Sequence, residues 1–157
     1  MANFVYNIAK GRVAEFFHRV VNNDPANSAI VVVAINTTAS DATLKDLDTL
    51  ADIEANGDTA EATNSGYARK VLTNVELSAI TIDDTGDLVQ VTIPDQTWTG
   101  VAASPGAWTD LVLCYDSDTT AGTDANIIPL TQHDFAVTPD GSDITADVGA
   151  NGVFQAS

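Results

Sequence analysis

Seven consecutive apolar residues, Ala29-Ile30-Val31-Val32-Val33-Ala34-Ile35, constrain the fold of this chain more than any other feature. The run is too short for a typical helix, and its β-branched side chains have the stiff χ1 angles that suit a pleated strand. A strand with one wet face alternates apolar and polar residues; the unbroken run predicts a strand covered on both faces. The chain is long enough to provide that cover. At 157 residues it falls in the size range of one domain, 1–157, with a continuous core and no need of cross-links.

Upstream, Val13, Phe16, Phe17, Val20 and Val21 fall on one helical face, with Glu15, His18 and Arg19 opposite. This predicts a helix within the N-terminal segment, residues 1–22. Gly11 and the β-branched valines leave a strand through 12–20 as the competing reading. Downstream, Ser40 or Asp41 caps a short helix carrying Leu44, Leu47, Leu50 and Ala51, which Asn56-Gly57 stops. Residues 54–66 are small and polar without periodicity, the composition of a surface loop that could contact a neighbouring subunit. From residue 67 onward, short strands alternate with turn clusters. The strands are 67–73, 77–82, the return run from Leu88 to Ile93, Trp98, 108–115, 126–130, 134–138, 144–148 and 153–156. Asp83-Asp84-Thr85-Gly86-Asp87 is a strong hairpin signal. The expected fold is mainly β, a sandwich or barrel-like arrangement with one or two short helices. Its core should include Ile30, Val32, Val89, Val91, Leu111, Leu113 and Phe135.

Charge narrows the function. There are 22 acidic and 6 basic side chains, a formal net charge of -16, and such a field repels phosphate backbones, so no nucleic-acid partner is expected. No apolar stretch approaches the length of a membrane span, and no membrane partner is expected. The start, Met1-Ala2-Asn3-Phe4-Val5-Tyr6, lacks the basic-then-apolar pattern of a secretory signal. All six bases, Lys10, Arg12, Arg19, Lys45, Arg69 and Lys70, lie in the first 70 residues. The acidic surplus reads either as a solvated surface or as a polarity in which the N-terminal segment faces an acidic partner.

Residues able to do chemistry are sparse. Cys114 is the only cysteine, and Leu111-Val112-Leu113-Cys114-Tyr115 reads as a core strand, so a buried, inert thiol is expected. Neither a nucleophile elbow nor a phosphate or dinucleotide loop occurs. His133-Asp134 is the one adjacent base and carboxylate; a His near a turn, bonded to backbone, is the plainer reading of it. His18 belongs on the wet face of the N-terminal helix. One Cys and two His do not fill a structural zinc site. Asp116-Ser117-Asp118-Thr119-Thr120-Ala121-Gly122-Thr123-Asp124 alternates hard oxygen ligands, but its glycine falls one place late. Ile127 stands where an EF-hand has its bidentate Glu, so a solvated acidic loop without obligatory metal is expected. No catalytic, cofactor-binding or metal residue is assigned.

Several word-like stretches resemble a family of small tailed-phage structural proteins: Tyr6-Asn7-Ile8-Ala9-Lys10-Gly11-Arg12-Val13-Ala14-Glu15, Asn23-Asp24-Pro25-Ala26-Asn27-Ser28, Ser65-Gly66-Tyr67-Ala68-Arg69-Lys70 and Pro94-Asp95-Gln96-Thr97-Trp98-Thr99. The stretch from Trp108-Thr109-Asp110-Leu111 through Asp124-Ala125-Asn126-Ile127-Ile128-Pro129-Leu130 to Phe135-Ala136-Val137-Thr138-Pro139-Asp140-Gly141-Ser142-Asp143 belongs with them. The resemblance implies a virion protein made in the bacterial host cytoplasm, and brings no catalytic or cofactor residues with it.

Within that context the expected role is capsid decoration: a non-enzymatic cement protein on the capsid exterior, bound to the major capsid protein. A closed homo-oligomer is expected, a trimer by analogy with local threefold axes. Phe4, Tyr6, Lys10, Arg12, Phe16 and Arg19 combine aromatic anchors with positive charge and are the interface candidates. The same aromatics would otherwise complete the chain's own core. The alternative function is a tail or fibre-associated module binding host-surface glycans, with Trp98 and Trp108 as its working aromatics. Against that use, their apolar neighbours point to a core role. A virion-borne hydrolase has only His133-Asp134 and scattered carboxylates behind it.

Overall fold

The structure, a computed structural model, describes residues 2–77 and 80–156, with Thr81 and Asp83 described by backbone alone. Strand β1 (Phe4–Val5) leads into a 3-10 turn at Asn7–Ala9 and then helix α1 (Val13–Val21). The expected N-terminal helix is therefore real but starts late. Gly11 takes φ +75°, a left-handed conformation that no right-handed helix can pass through. Val13, Phe16, Phe17 and Val20 are buried, while Glu15, His18 and Arg19 face outward as the spacing predicts. The helix closes on Asn23, at φ 52°, with the Asn23 amide donating to the Val20 carbonyl and the Asp24 amide to that of Arg19. That is the pairing of a Schellman cap.

Strand β2 (Ala29–Thr37) is buried at every position but Asn36. Ile30, Val32 and Ala34 enter one core cluster and Val31, Val33 and Ile35 the other, so both faces are covered as the apolar run requires. Helices α2 (Asp41–Lys45) and α3 (Leu50–Ala55) follow. One continuous helix was the expectation here. Instead Thr49 restarts the helix through a capping box with Asp52, and Ser40, not Asp41, caps the first turn. The polar stretch 54–66 also departs from a plain loop. Strand β3 (Thr59–Glu61) pairs with the end of β2, and Thr59, Ala62 and Asn64 are buried. A three-residue edge strand needs only backbone partners, so apolar periodicity does not announce it.

Beyond it come β4 (Lys70–Leu72), β5 (Thr81–Asp83), β6 (Leu88–Val91), β7 (Gln96–Trp98), β8 (Trp108–Asp116), β9 (Ile128–Val137), β10 (Ile144–Ala146) and β11 (Phe154–Ala156). In the expected strand 77–82, Ser78 and Ala79 lie outside the described residues. The two runs 126–130 and 134–138 join as the single strand β9, because polar Thr131 and Gln132 are buried between them.

The fold is mainly β, and its strands are antiparallel. A six-stranded sheet runs β1-β9-β8-β2-β3, with β4 also paired to β2; two smaller sheets join β10 with β7, and β11, β6 and β5 in that order. One core cluster takes α1 and residues of the smaller sheets against one face of the large sheet. The other packs Leu44, Leu50 and Ile53 of the short helices against the opposite face. Of the expected core, Ile30, Val32, Val91, Leu111 and Leu113 are buried, whereas Val89 and Phe135 are half-buried at its edge.

Candidate functional site

The six interface candidates separate by chemistry. Tyr6 is fully buried and its hydroxyl donates to Gln132 Oε1 at 2.6 Å. Phe16 is buried against Tyr115, with ring centroids 4.7 Å apart. Phe4 is half-buried, tilted against Tyr6 at 5.2 Å, with the Lys45 ammonium 4.9 Å from its ring centroid. These aromatics complete the core. Lys10, Arg12 and Arg19 remain exposed, together with Ile8. Arg12 and Arg19 share one partner, Glu15, at 3.1 and 2.9 Å. Half-exposed pairs of this kind contribute little to stability.

A second cluster gives no sign of itself in the sequence. Arg69, just before β4, pairs through its guanidinium with Glu54 of α3 at 2.6 Å, Glu61 of β3 at 2.6 Å and Asp124 at 2.5 Å. The Tyr67 hydroxyl accepts from the Ala34 amide and donates to Glu61. The partners lie 8, 15 and 55 residues from Arg69, spacings set by the sheet and not by any local motif. One cation among three carboxylates splits their proton affinities. Burial, the bond to Glu61 and the charge of Asp124 push Glu54 up to about 7. For Glu61 burial pushes upward, but the bonds from Arg69 and Tyr67 outweigh it and hold the carboxyl below its usual range. Asp124 is held low chiefly by its bond from Arg69.

The sign of the resulting pH dependence follows from linkage. Folded Glu54 keeps a proton that the unfolded chain releases, so its contribution is full below the ordinary carboxylate range and is lost as pH rises through about 7. Glu61 and Asp124 act oppositely: their stabilisation is present above that range and lost as pH falls through their depressed values. The variant Glu54→Gln mimics the protonated acid and keeps an oxygen for Arg69. It is expected to match wild type in thermal melts at about pH 5 and exceed it at about pH 8. A difference that does not grow with pH would assign the proton elsewhere.

The acidic loop is organised by turn chemistry. Asp116 Oδ1 accepts the Asp118 amide at 3.0 Å, and Asp118 Oδ1 accepts both the amide and the hydroxyl of Thr120. Asp124 is committed to Arg69. Among the described residues, no group of three or more His, Cys, Asp or Glu is placed to hold a metal ion.

Searched against protein-family models, curated proteins and solved structures, the chain matches none. His133 and Asp134 are consecutive in β9 and so point to opposite faces: His133 lies across from Leu111, and Asp134 across from Asp110. No base and carboxylate dyad forms there. His133 is held mid-strand by the Thr131 hydroxyl at 2.9 Å, not near a turn, and burial lowers its proton affinity. His18 is exposed, as its place on α1 predicts. Cys114 is fully buried, and burial pushes its thiol up, away from the reactive thiolate.

Trp98 and Trp108 are each 1% exposed and meet edge to face at 5.2 Å. Their indole N–H groups donate to the Ala68 carbonyl and to Asn64 Oδ1. The core role expected from their neighbours is what they have, and neither indole presents a face to a sugar. Among the described residues, no helix is long and apolar enough to cross a membrane.

Proposed function

We propose that this chain is a non-enzymatic virion structural protein, a decoration protein on the exterior of a tailed-phage head that binds the major capsid protein as a closed homo-oligomer. Trimeric symmetry would match a local threefold axis with equivalent contacts. The observation that carries the reading is the confinement of all six bases to the first 70 residues of a chain whose net charge is -16. Exposed Lys10, Arg12 and Arg19 cluster at the N-terminal end, while residues 71–157 contain no Lys or Arg. In this reading exposed Lys10 and Arg12 meet the shell, and the acidic remainder of the surface faces solvent. Its negative field also keeps it off DNA during assembly.

The resemblance to small tailed-phage structural proteins supports the same reading. The surface nearest the shell consists of Ile8, Lys10 and Arg12, because Tyr6 and the other aromatics are spent on the core. Truncating the N-terminus would remove Tyr6 and damage the fold, so the test uses surface reversal. Lys10→Glu with Arg12→Glu is expected to leave circular dichroism unchanged and weaken binding to undecorated capsids about tenfold, the ~1.4 kcal/mol of two lost rim attractions. Full occupancy by the double variant at limiting concentration would reject this surface.

A further inference from the structure

We infer that the groove between α1 and the β5–β6 hairpin is where a second copy of this chain docks, acidic hairpin tip against basic helix. The inference rests on the closed homo-oligomer proposed above and specifies its contact.

The groove encloses about 500 Å³ and is floored by Val21, Ile80, Ile82 and Val89, with Glu15 and His18 on its helical rim. Ile82 is 70% exposed and adjoins the other apolar side chains of the groove, so together they form one exposed apolar patch. A stiff, exposed apolar side chain on the groove's edge is what a second copy can cover.

Charge identifies the occupant. On the helix side, exposed Arg19 pairs at 2.9 Å with Glu15, which lies on the groove's rim. On the hairpin side, Asp84 and Asp87 are exposed at the tip, in a half of the chain without bases. A patch with Arg19 on one flank, Asp84 and Asp87 on the other and apolar side chains between can pair with a second copy of itself. Two copies carrying -16 each repel in general. Attraction is confined to orientations that bring one copy's hairpin tip to the next copy's helix, which selects the geometry as well as the partner. Each copy gives one hairpin and receives one, an arrangement that a two-fold dimer or a closed trimer ring satisfies for every copy.

The test measures mass by light scattering and sedimentation on the full chain, with circular dichroism as the check on folding. Wild type is expected to be a closed oligomer and Ile82→Asp a folded monomer, since a side chain this exposed tolerates the change. Arg19→Glu and Asp84→Arg, each alone, are expected to weaken assembly about tenfold, and the two combined in one chain to restore it. Monomeric wild type at high concentration would overturn the homo-oligomer and this contact together. Oligomeric wild type with an equally oligomeric Ile82→Asp would overturn the groove alone. Failure of the double reversal to restore assembly would overturn the pairing of helix with hairpin tip.

Discussion

Trp108→Ala is expected to lower the free energy of unfolding by about 3–5 kcal/mol, read as a shift of the urea midpoint at constant slope. The indole fills space between Trp98 at 5.2 Å and Tyr67 at 5.3 Å, and truncation leaves a cavity among groups that cannot collapse onto it. The loss extends to a polar hub. Trp108 Nε1 donates to Asn64 Oδ1 at 2.9 Å, and the Asn64 amide in turn donates to the carbonyls of Ala102 and Gly106. Removing the indole strands a buried acceptor on a side chain that fixes the 102–106 loop. Trp108→Phe keeps most of the apolar volume and loses the bond, so it should cost roughly 1–3 kcal/mol. Equal destabilisation by both variants would mean that the hydrogen bond, not the packing, dominates.

Arg69→Met is expected to destabilise by about 3 kcal/mol, the low end for breaking a buried ionic cluster because the guanidinium keeps some solvent. The cost comes from what is left behind: Glu54, Glu61 and Asp124 without a cation between them. Arg69→Lys should recover only part of it, since an ammonium cannot reach three carboxylates from fixed, planar donors. The diagnostic is pH. Lowering pH neutralises the stranded carboxylates, so the deficit of Arg69→Met should shrink in acid, and a deficit independent of pH would show that lost side-chain packing is the cause.

The legible parts of this molecule were those written in local pattern. The apolar run of β2, the face of α1 and the Asp83–Asp87 hairpin signal each carry their structure within a dozen residues. Where one residue overrides a pattern, as left-handed Gly11 or the Thr49 cap does, the element survives and its boundary moves. Features built by long-range pairing were not legible. Strand β3 is a polar segment recruited by the open edge of β2, and Arg69 gathers carboxylates that only the sheet brings together. The interface candidates show the same limit. Their composition mixes aromatics and cations, but helical phase and backbone direction, not composition, turn Tyr6 and Phe16 inward and Lys10, Arg12 and Arg19 outward.

The central position of β2 also sets the order of events on the ribosome. Its edge partners β3 and β4 follow within about 40 residues, but its other neighbour, β8, begins only at Trp108. Until then one edge of a β-branched, uncharged run lacks its partner, the composition most prone to pair with another nascent chain. Hairpin-scale pairing with β3 and β4 occupies the opposite edge early, while closing the loop to β8 is the slow, entropically costly step. The growing chain is therefore most open to mispairing with another chain before β8 arrives to complete the sheet.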